Sequence, residues 1–302
     1  MLKADKTVKS NINLNYEKEL VVVACFKNEA KYIQEWIEYH LIMGVEHFYL
    51  YDNESTDNWH EVLDSYIQDD LVTVINWPER PVQPACYNHF LSTYGDNIHW
   101  AAFIDCDEFI AVRNRSSIRA VLDEYEPYAG LACSWTCFGP NGHVDPPEGL
   151  LIDNYTTRHS HYMEIFLKNI VQPRRIEESL SSHTVSRKID DYTHEKFKIV
   201  DQNHQPTNME QLLLTDDFSR IKIFHYVTKS ESELDHKLNK RGNAETKSGI
   251  YITYNSKERG NWGEYQLKFK KMCNIKDNFL CYYSNEIKTR ITRRKSYESH
   301  RV

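Results

Sequence analysis

The chain has 302 residues, of which 40% are hydrophobic and 27% are charged, and its formal net charge is −7. This composition is typical of a globular chain with one or two domains, and the acidic balance argues against a general nucleic-acid binder. The seven cysteines lack the spacing of a disulfide framework or a zinc site, which favours free thiols in a reducing compartment. No apolar run is long enough to span a membrane, and the N-terminus lacks the apolar region of a signal peptide. The sequence therefore predicts a cytoplasmic protein.

Predicted strands and helices alternate through the first 138 residues. Apolar, β-branched runs predict strands, and apolar residues at helical spacing predict helices. The strands are expected at 20–26, 47–51, 71–77, 100–105 and 130–138. The helices are expected at 28–43, in the segment after a capping Asp57, at 85–94 and at 116–125. This alternation predicts an α/β fold with a mostly parallel sheet covered by helices.

The pattern changes at residues 139–149, which form a loop rich in glycine and proline. Beyond it, strands are predicted at 150–156, 165–171 and 220–227, and a helix at 230–239. The last segment, 286–302, carries six basic and two acidic residues. It could contact an anionic membrane surface, or it could be a solvated terminus.

An acidic pair, Asp105 and Asp107, follows the apolar strand at 100–105. Two aspartates one residue apart can share a Mg²⁺ or Mn²⁺ ion, whose other ligands are water or phosphate oxygens. Solvated turns also carry acidic pairs. The pair by itself is therefore compatible with two interpretations, a metal site and a solvated turn.

Polar residues follow two other predicted strands: Lys27, Asn28 and Glu29 follow the first, and Asp52 follows the second. The carboxyl ends of parallel strands meet at one edge of a sheet, where α/β proteins bind their ligands. This edge suits a nucleoside diphosphate, because Asp52 can accept hydrogen bonds from a base or ribose and a metal can neutralise the diphosphate. The local alternatives are a helix cap at 27–29 and an Asx-rich turn at Asp52.

Five motifs in a fixed order carry a resemblance to a known family. They are KNEAKYIQEWIEYHLIMGVEHFYLYDNESTDN, FIDCDEFI, SWTCFGPNGH, KNIVQP and IFHYVTKSESELDHKLNKRG. In this order and spacing, the chain resembles glycosyltransferase family 92 and its bacterial relatives in the family 2-like group. The resemblance covers residues 20–245.

The resemblance implies a GT-A type fold, in which a mostly parallel, Rossmann-like sheet is followed by a mixed C-terminal elaboration. It also implies a nucleotide-sugar donor, a UDP-sugar above all, and a bound Mn²⁺ or Mg²⁺ ion. By position, Asp105 and Asp107 are the residues for the metal and the diphosphate. Asp52 is the nucleoside contact, with residues 27–29 beside it.

Three later residues are assigned to the donor by the same resemblance. His225 follows a predicted strand and fits the late histidine that completes the metal site in this fold. A neutral imidazole is a suitable Mn²⁺ ligand, although a core histidine is the alternative. Lys237 and Arg241 are four residues apart on a predicted helix, so they could clamp the diphosphate or form a solvated helix end.

The implied activity is inverting transfer of a sugar to a glycan or lipid-linked acceptor, in the synthesis of surface polysaccharide or glycoconjugates. Inversion by direct displacement needs a base for the acceptor hydroxyl. The candidates are Asp145, which follows the Gly/Pro-rich loop, and His183, in a strand-to-loop stretch. His143 is expected to shape the acceptor loop.

The chain is expected to divide into a polar segment at 1–19, a glycosyltransferase domain at 20–245 and a helical, aromatic extension with a basic tail at 246–302. Within the domain, residues 20–138 are the nucleotide-binding half and residues 139–245 the acceptor half. The lack of an apolar anchor favours a bacterial-type cytoplasmic enzyme that meets the membrane only through its tail. The oligomeric state stays open.

Two other functions fit the same acidic pair. The first is a metal-dependent phosphoryl or nucleotidyl transferase or hydrolase, although no phosphate-binding loop follows the first strand. The second is a non-catalytic module that binds nucleotides or glycans. Turnover of a nucleoside triphosphate would indicate the first, and sugar-nucleotide binding without turnover would indicate the second.

Overall fold

The computed structural model describes residues 16–79, 82–159, 167–207, 218–237 and 271–298. The strands are β1 (Lys18–Phe26), β2 (His47–Asp52), β3 (Val72–Asn76), β4 (Ile98–Phe103), β5 (Glu108–Val112), β6 (Gly130–Cys137), β7 (Thr157–His159), β8 (Leu167–Val171), β9 (Ile176–Ser179), β10 (Val185–Arg187), β11 (Ile199–Val200), β12 (Ile221–His225) and β13 (Cys273–Lys276). The helices are α1 (Ile33–Ile42), α2 (Trp59–Gln68), α3 (Val82–Thr93), α4 (Ile118–Leu122), α5 (Leu151–Asn154), α6 (Glu231–His236) and α7 (Ser284–Glu298).

The main sheet has the strand order β3-β2-β1-β4-β8-β6-β12-β5, and β11 pairs with β6 outside this path. The first four strands in this order are parallel to one another. β8 is antiparallel to both of its neighbours, β6 and β12 are parallel, and β5 is antiparallel to β12. The predicted fold class is confirmed in its architecture: the protein has an α/β fold whose sheet has a parallel half followed by a mixed half.

Helices cover both faces of the sheet. Side chains alternate across a strand, so Val22 of β1 packs with Trp36 of α1 in one core, and Val23 packs with Phe90 of α3 in the other. All four side chains are fully buried. A run of β-branched residues suits such a strand, because a central parallel strand is buried on both faces.

One edge of the sheet collects the polar ends of many strands. β1, β2 and β4 end at this edge, and β6 and β12 end there too because they run in the same direction. β8 and β5 run the opposite way, so they begin there. The register confirms this arrangement, since Phe103 pairs with Asn169, Cys137 pairs with His225 and His225 pairs with Glu108.

Two local predictions are wrong. Residues 151–154 form α5 rather than part of a strand, and the buried Glu35 carboxyl group accepts hydrogen bonds from the first N–H groups of that helix, of Leu151 at 2.6 Å and Ile152 at 3.0 Å. Asp57 does not cap α2, because its Oδ2 accepts a hydrogen bond from the N–H of Ala30 at 2.8 Å. Both carboxylates bind backbone that is distant in sequence, which local patterns do not reveal.

The expectation that all cysteines are free thiols is also wrong. Cys25 of β1 and Cys86 of α3 form a disulfide across 61 residues of sequence. This pairing depends on the packing of α3 against β1, so the spacing of the cysteines could not predict it. The remaining cysteines are free: Cys106, Cys133, Cys137, Cys273 and Cys281.

The basic C-terminal segment packs one face against the domain in its described part, while Lys288, Arg293 and Lys295 are exposed. Arg290 and Arg294 of α7 donate hydrogen bonds to the buried Glu38 of α1, at 2.7 and 3.2 Å. Lys288 donates to Asp153 at 2.7 Å. Among the residues that the structure describes, no helix is both long and apolar enough to cross a membrane.

Candidate active site

The acidic pair lies in the turn between β4 and β5, at the polar edge of the sheet. The carbonyl oxygen of Asp105 accepts a hydrogen bond from the N–H of Glu108 at 3.0 Å, and the N–H of Asp105 donates to the Glu108 carboxylate at 2.8 Å. The carbonyl oxygen of Asp107 accepts from the N–H of Tyr226, just after β12, at 2.9 Å. These backbone contacts hold the turn, and the two aspartate side chains have different surroundings.

Asp107 faces His225 and Lys237. Its Oδ1 lies 3.4 Å from His225 Nε2, and its Oδ2 lies 3.5 Å from Lys237 Nζ. Burial opposes ionisation of this carboxyl, but the charges of Lys237 and His225 hold the pKa of Asp107 well below its usual range. Asp107 is therefore a carboxylate at neutral pH. Arg241, the predicted partner of Lys237, lies outside the described residues.

Asp105 is held by residues of two other elements. Lys168 at the start of β8 donates to its Oδ2 at 3.0 Å, and Gln83 of α3 donates to its Oδ1. The fully buried Glu108 lies beneath, with its Oε2 3.6 Å from Lys168 Nζ. Burial lowers the pKa of Lys168, but the carboxyls of Asp105 and Glu108 outweigh it and raise that pKa above its ordinary value. Lys168 is thus a buried ammonium group.

A cleft opens beside Asp107, between the turn after β1 and the segment 227–237, which contains α6. Residues 27–29 line it, together with the lysines Lys31, Lys229 and Lys237. Lys229 Nζ donates to Glu29 at 2.9 Å, which neutralises that carboxylate. Glu233, a further lining residue, is engaged by the cap of α6. Lys27, Lys31 and Lys237 line the same cleft as Asp107, and ammonium groups are suitable donors to an anionic ligand.

The predicted nucleoside contact lies at the same edge. Asp52 ends β2 and is buried, and its Oδ1 accepts a hydrogen bond from the N–H of Ser55 at 3.0 Å. Asn28 adopts a left-handed conformation with φ of 56°, and its Oδ1 accepts from the N–H of Thr56 at 2.7 Å. Asn28 thus joins the loops that follow β1 and β2, and these two loops form one continuous wall of the edge.

The two candidate bases lie in different environments. His183 packs edge-on against Trp135 of β6, with ring centroids 5.2 Å apart, and Trp135 in turn contacts His225 at 4.3 Å. His183 Nδ1 lies 2.9 Å from the carbonyl oxygen of Leu167. Burial and the charge of Lys168 lower the pKa of His183 to about 4, so its ring is neutral at pH 7.

Asp145 is exposed and is not among the residues that line the cleft. The loop before it lies against the start of α6. The carbonyl oxygens of His143 and Val144 accept hydrogen bonds from the N–H groups of Glu231 and Ser232, at 3.1 and 2.9 Å. This loop therefore supports the wall of the cleft.

Four residues of the site were missed by sequence reasoning: Lys168, Gln83, Trp135 and Lys229. A signal existed for Lys168, because a lysine inside the strand LKNIV must find a buried partner. The other three carry no local signal. Gln83, for example, reaches Asp105 only because α3 packs beside the end of β4.

Within the described ranges, no group of three or more His, Cys, Asp or Glu side chains is placed to hold a metal ion by itself. Asp107 and His225 do offer an oxygen and a nitrogen ligand 3.4 Å apart, and Asp107 lines the cleft. Mg²⁺ commonly binds one or two protein ligands together with substrate phosphates and water. The residues therefore fit a cation that is shared with a phosphate-bearing ligand.

The mostly parallel sheet, the acidic turn at its edge and the lysine-lined cleft define an α/β protein with a candidate ligand site at the carboxyl edge of its sheet. The chain belongs to glycosyltransferase family 92, whose family model matches residues 21–205. The expected resemblance is confirmed.

Three plant proteins illustrate the similarity. A glycosyltransferase family 92 protein of Oryza sativa subsp. japonica is 32% identical over 165 residues, which are 53% of this chain and 28% of that protein. A family 92 protein of Ricinus communis is 30% identical over 178 residues, 54% of this chain and 30% of that protein. A galactan β-1,4-galactosyltransferase of Arabidopsis thaliana is 35% identical over 107 residues, 32% of this chain and 21% of that protein. The chain thus spans less than a third of the length of these relatives.

Among solved structures, residues 1–349 of TarS from S. aureus are similar with a TM-score of 0.37 and 16% identity, over 69% of this chain and 60% of that chain. The same part of TarS in complex with UDP-GlcNAc gives a TM-score of 0.35 and 15% identity, over 66% of this chain and 63% of that chain.

Proposed function

We propose that this glycosyltransferase moves a sugar from a UDP-sugar to a glycan or lipid-linked acceptor, with inversion and with the help of a divalent cation. The observation that carries the proposal is the cleft at the sheet edge, where Lys27, Lys31 and Lys237 line the same space as Asp107, and Lys237 Nζ lies 3.5 Å from Asp107 Oδ2. A nucleoside diphosphate is an anion that such lysines bind. The galactosyltransferase among the relatives supports a hexose as the transferred group.

The donor would lie across the edge, with its nucleoside toward Asp52 and its diphosphate in the cleft. Asp107 and His225 are the residues that would hold Mn²⁺ or Mg²⁺. When bound, the cation would neutralise the diphosphate as a leaving group. Lys237 adds a positive charge on the other side of Asp107, 3.5 Å from its Oδ2. Residues 27–29 close the cleft from the side of β1.

Inversion requires a base on the acceptor side, and we favour His183 over Asp145. His183 lies next to Trp135, and this ring contacts His225. The low pKa keeps the imidazole unprotonated at pH 7, so it can accept the proton of an acceptor hydroxyl. Asp145 is exposed and lies outside the cleft lining. A cytoplasmic location and contact of the basic tail with an anionic membrane stay predictions.

The test is ligand-induced stabilisation followed by turnover. The wild-type protein is heated with a panel of nucleotide sugars, in Mn²⁺ and in chelator, because a ligand that binds only the folded state raises the unfolding midpoint. We expect one UDP-sugar to stabilise the protein only with Mn²⁺, and Asp107→Asn to abolish this effect. Asp64→Asn, on the exposed face of α2, is the matched control.

The sugar donor that stabilises the protein is then incubated with glycan and lipid-linked acceptors, and the products are analysed for a new glycosidic bond and its anomeric configuration. Stabilisation by no nucleotide sugar would refute the proposal. Release of phosphate or pyrophosphate from a nucleoside triphosphate would favour the phosphoryl-transfer alternative, and binding without any transfer would favour the binding module.

A further inference from the structure

A lysine lies at the centre of the sheet edge without any contact with solvent. The side chain of Lys168 is 0% exposed, as is that of Glu108 beneath it. Burying an ammonium group is costly unless it is paired and hydrogen-bonded. A lysine is therefore expected at such a place only where its charge is needed by a neighbour.

Asp105 is the neighbour that shares this charge with Glu108. Its Oδ2 accepts a hydrogen bond from Lys168 Nζ at 3.0 Å, and its Oδ1 accepts one from Gln83 Nε2. These two donors come from two different elements, β8 and α3, and so fix the plane of the carboxylate. A carboxylate has about four lone-pair sites. Asp105, whose side chain is 29% exposed, therefore keeps acceptor capacity toward the solvent side.

Asp107 differs from Asp105 in its side-chain contacts and in its access to the cleft. No lysine donates to it within 3.0 Å among the described residues, since Lys237 Nζ is 3.5 Å away. It lines the cleft, whereas Asp105 does not. The shorter of its two ion-pair distances is to His225 Nε2, at 3.4 Å, and imidazole nitrogen is a common metal ligand. The two carboxylates of the acidic pair thus have separate partners.

We propose that Lys168, together with Gln83, is a positioning residue that fixes Asp105 and keeps it out of the cation's ligand set. The fixed Asp105 carboxylate then accepts hydrogen bonds from donor hydroxyl groups, and Asp107 alone of the pair faces the cation. This inference rests on the proposed function. It adds to that function a buried positioning residue, Lys168, which fixes one carboxylate of the acidic pair.

The test is a double-mutant cycle between Lys168 and Asp105. Misplacing a substrate contact by about 1 Å can cost about 100-fold in rate, so Lys168→Met should lower kcat/KM for the donor by about that factor. Asp105→Asn should have a similar effect. In the Lys168→Met/Asp105→Asn variant, the second substitution should change kcat/KM by no more than about twofold, because Lys168 acts through Asp105. Lys168→Arg should restore part of the activity.

Two further readouts separate positioning from folding. The Mn²⁺ concentration for half-maximal activity should stay within about twofold of wild type in the Lys168 variants, while Asp107→Asn raises it. Binding of UDP with Mn²⁺, measured by calorimetry without turnover, should likewise be retained. Lys222→Met removes another buried strand lysine, on β12, and controls for the loss of stability alone. If Lys168→Met does not fold, Gln83→Leu tests the same contact from the side of α3.

The outcomes are distinguishable from failure of the proposed function. A wild-type protein that transfers no sugar refutes that function and this inference with it. If the wild type is active but the effects of Lys168→Met and Asp105→Asn on kcat/KM multiply in the double variant, the inference alone is refuted. The inference alone is also refuted by a Lys168 or Gln83 variant whose Mn²⁺ requirement rises as it does in Asp107→Asn.

Discussion

The buried Glu35 should make the stability of this protein fall with rising pH. Its carboxyl accepts two backbone hydrogen bonds from the start of α5, at 2.6 and 3.0 Å, but no cation lies against it among the contacts of the described residues. Burial raises the pKa of Glu35 from its ordinary 4.5 to about 7, in spite of these hydrogen bonds. Glu35 therefore holds its proton in the folded state at pH values at which the unfolded chain has lost it.

The sign and size of the effect follow from this difference. A raised folded-state pKa gives full stability below the unfolded pKa of 4.5, and this stability is lost as the pH rises through about 7. At about 1.4 kcal/mol per pKa unit, the rise to about 7 corresponds to about 3 kcal/mol in total. Between pH 5 and pH 8, the expected loss is about 2.5 kcal/mol.

The assay is urea unfolding of the wild type and Glu35→Gln at several pH values from 5 to 8. The amide cannot titrate, so its pH profile should be flatter by the calculated amount. At pH 5, the free energy of unfolding of Glu35→Gln should be about 1–2 kcal/mol lower than that of the wild type. The reason is that the amide offers one acceptor oxygen to the two N–H groups, whereas the carboxyl group offers two. Glu61→Gln, on the exposed face of α2, is the control. Parallel profiles for wild type and Glu35→Gln would refute the reasoning.

Other substitutions test the cleft and the docked tail. Lys237→Met should raise the donor KM by about 10-fold or more, since a hydrogen bond to a charged group contributes about 1.5–3 kcal/mol; initial rates that show an unchanged KM would contradict its place at the diphosphate. His183→Gln should lower kcat/KM by about 10²–10⁴, and the wild-type profile should lose activity only as the pH falls through about 4; an acid limb near 6.5 would argue for another base. Glu38→Gln should lower the free energy of unfolding by about 2 kcal/mol, because it weakens the hydrogen bonds from Arg290 and Arg294; an unchanged urea midpoint would mean that the tail does not depend on this contact.

Much of the parallel half of the fold could be predicted from the sequence. Runs such as LVVVACF and HFYLYD show the hydrophobic patterns of buried strands, and the helices between them show helical spacing. These signals lie within single elements, so they can be recognised without knowing which elements pack against each other. The prediction failed at 150–156, where the carboxylate of Glu35, more than 100 residues away in sequence, binds the start of a short helix.

The candidate site was predictable in its position but not in its internal arrangement. Parallel strands end at the same edge of a sheet, so the sequence alone predicted that residues 27–29, Asp52 and the acidic pair lie close together. It did not reveal that Asp105 and Asp107 have different partners. That difference depends on β8 and α3 on one side and on β12 and α6 on the other.

The sequence by itself therefore determined the order of strands and helices in the parallel half, the edge that bears the acidic pair and the family resemblance, because all three are encoded in local patterns and motifs. Only the tertiary structure decided that Lys168 is buried against Asp105, that Cys25 meets Cys86 and that the basic tail docks on Glu38. Each of these contacts joins residues from distant parts of the chain. Their pairing is set by the packing of whole elements, which no local pattern in the sequence records.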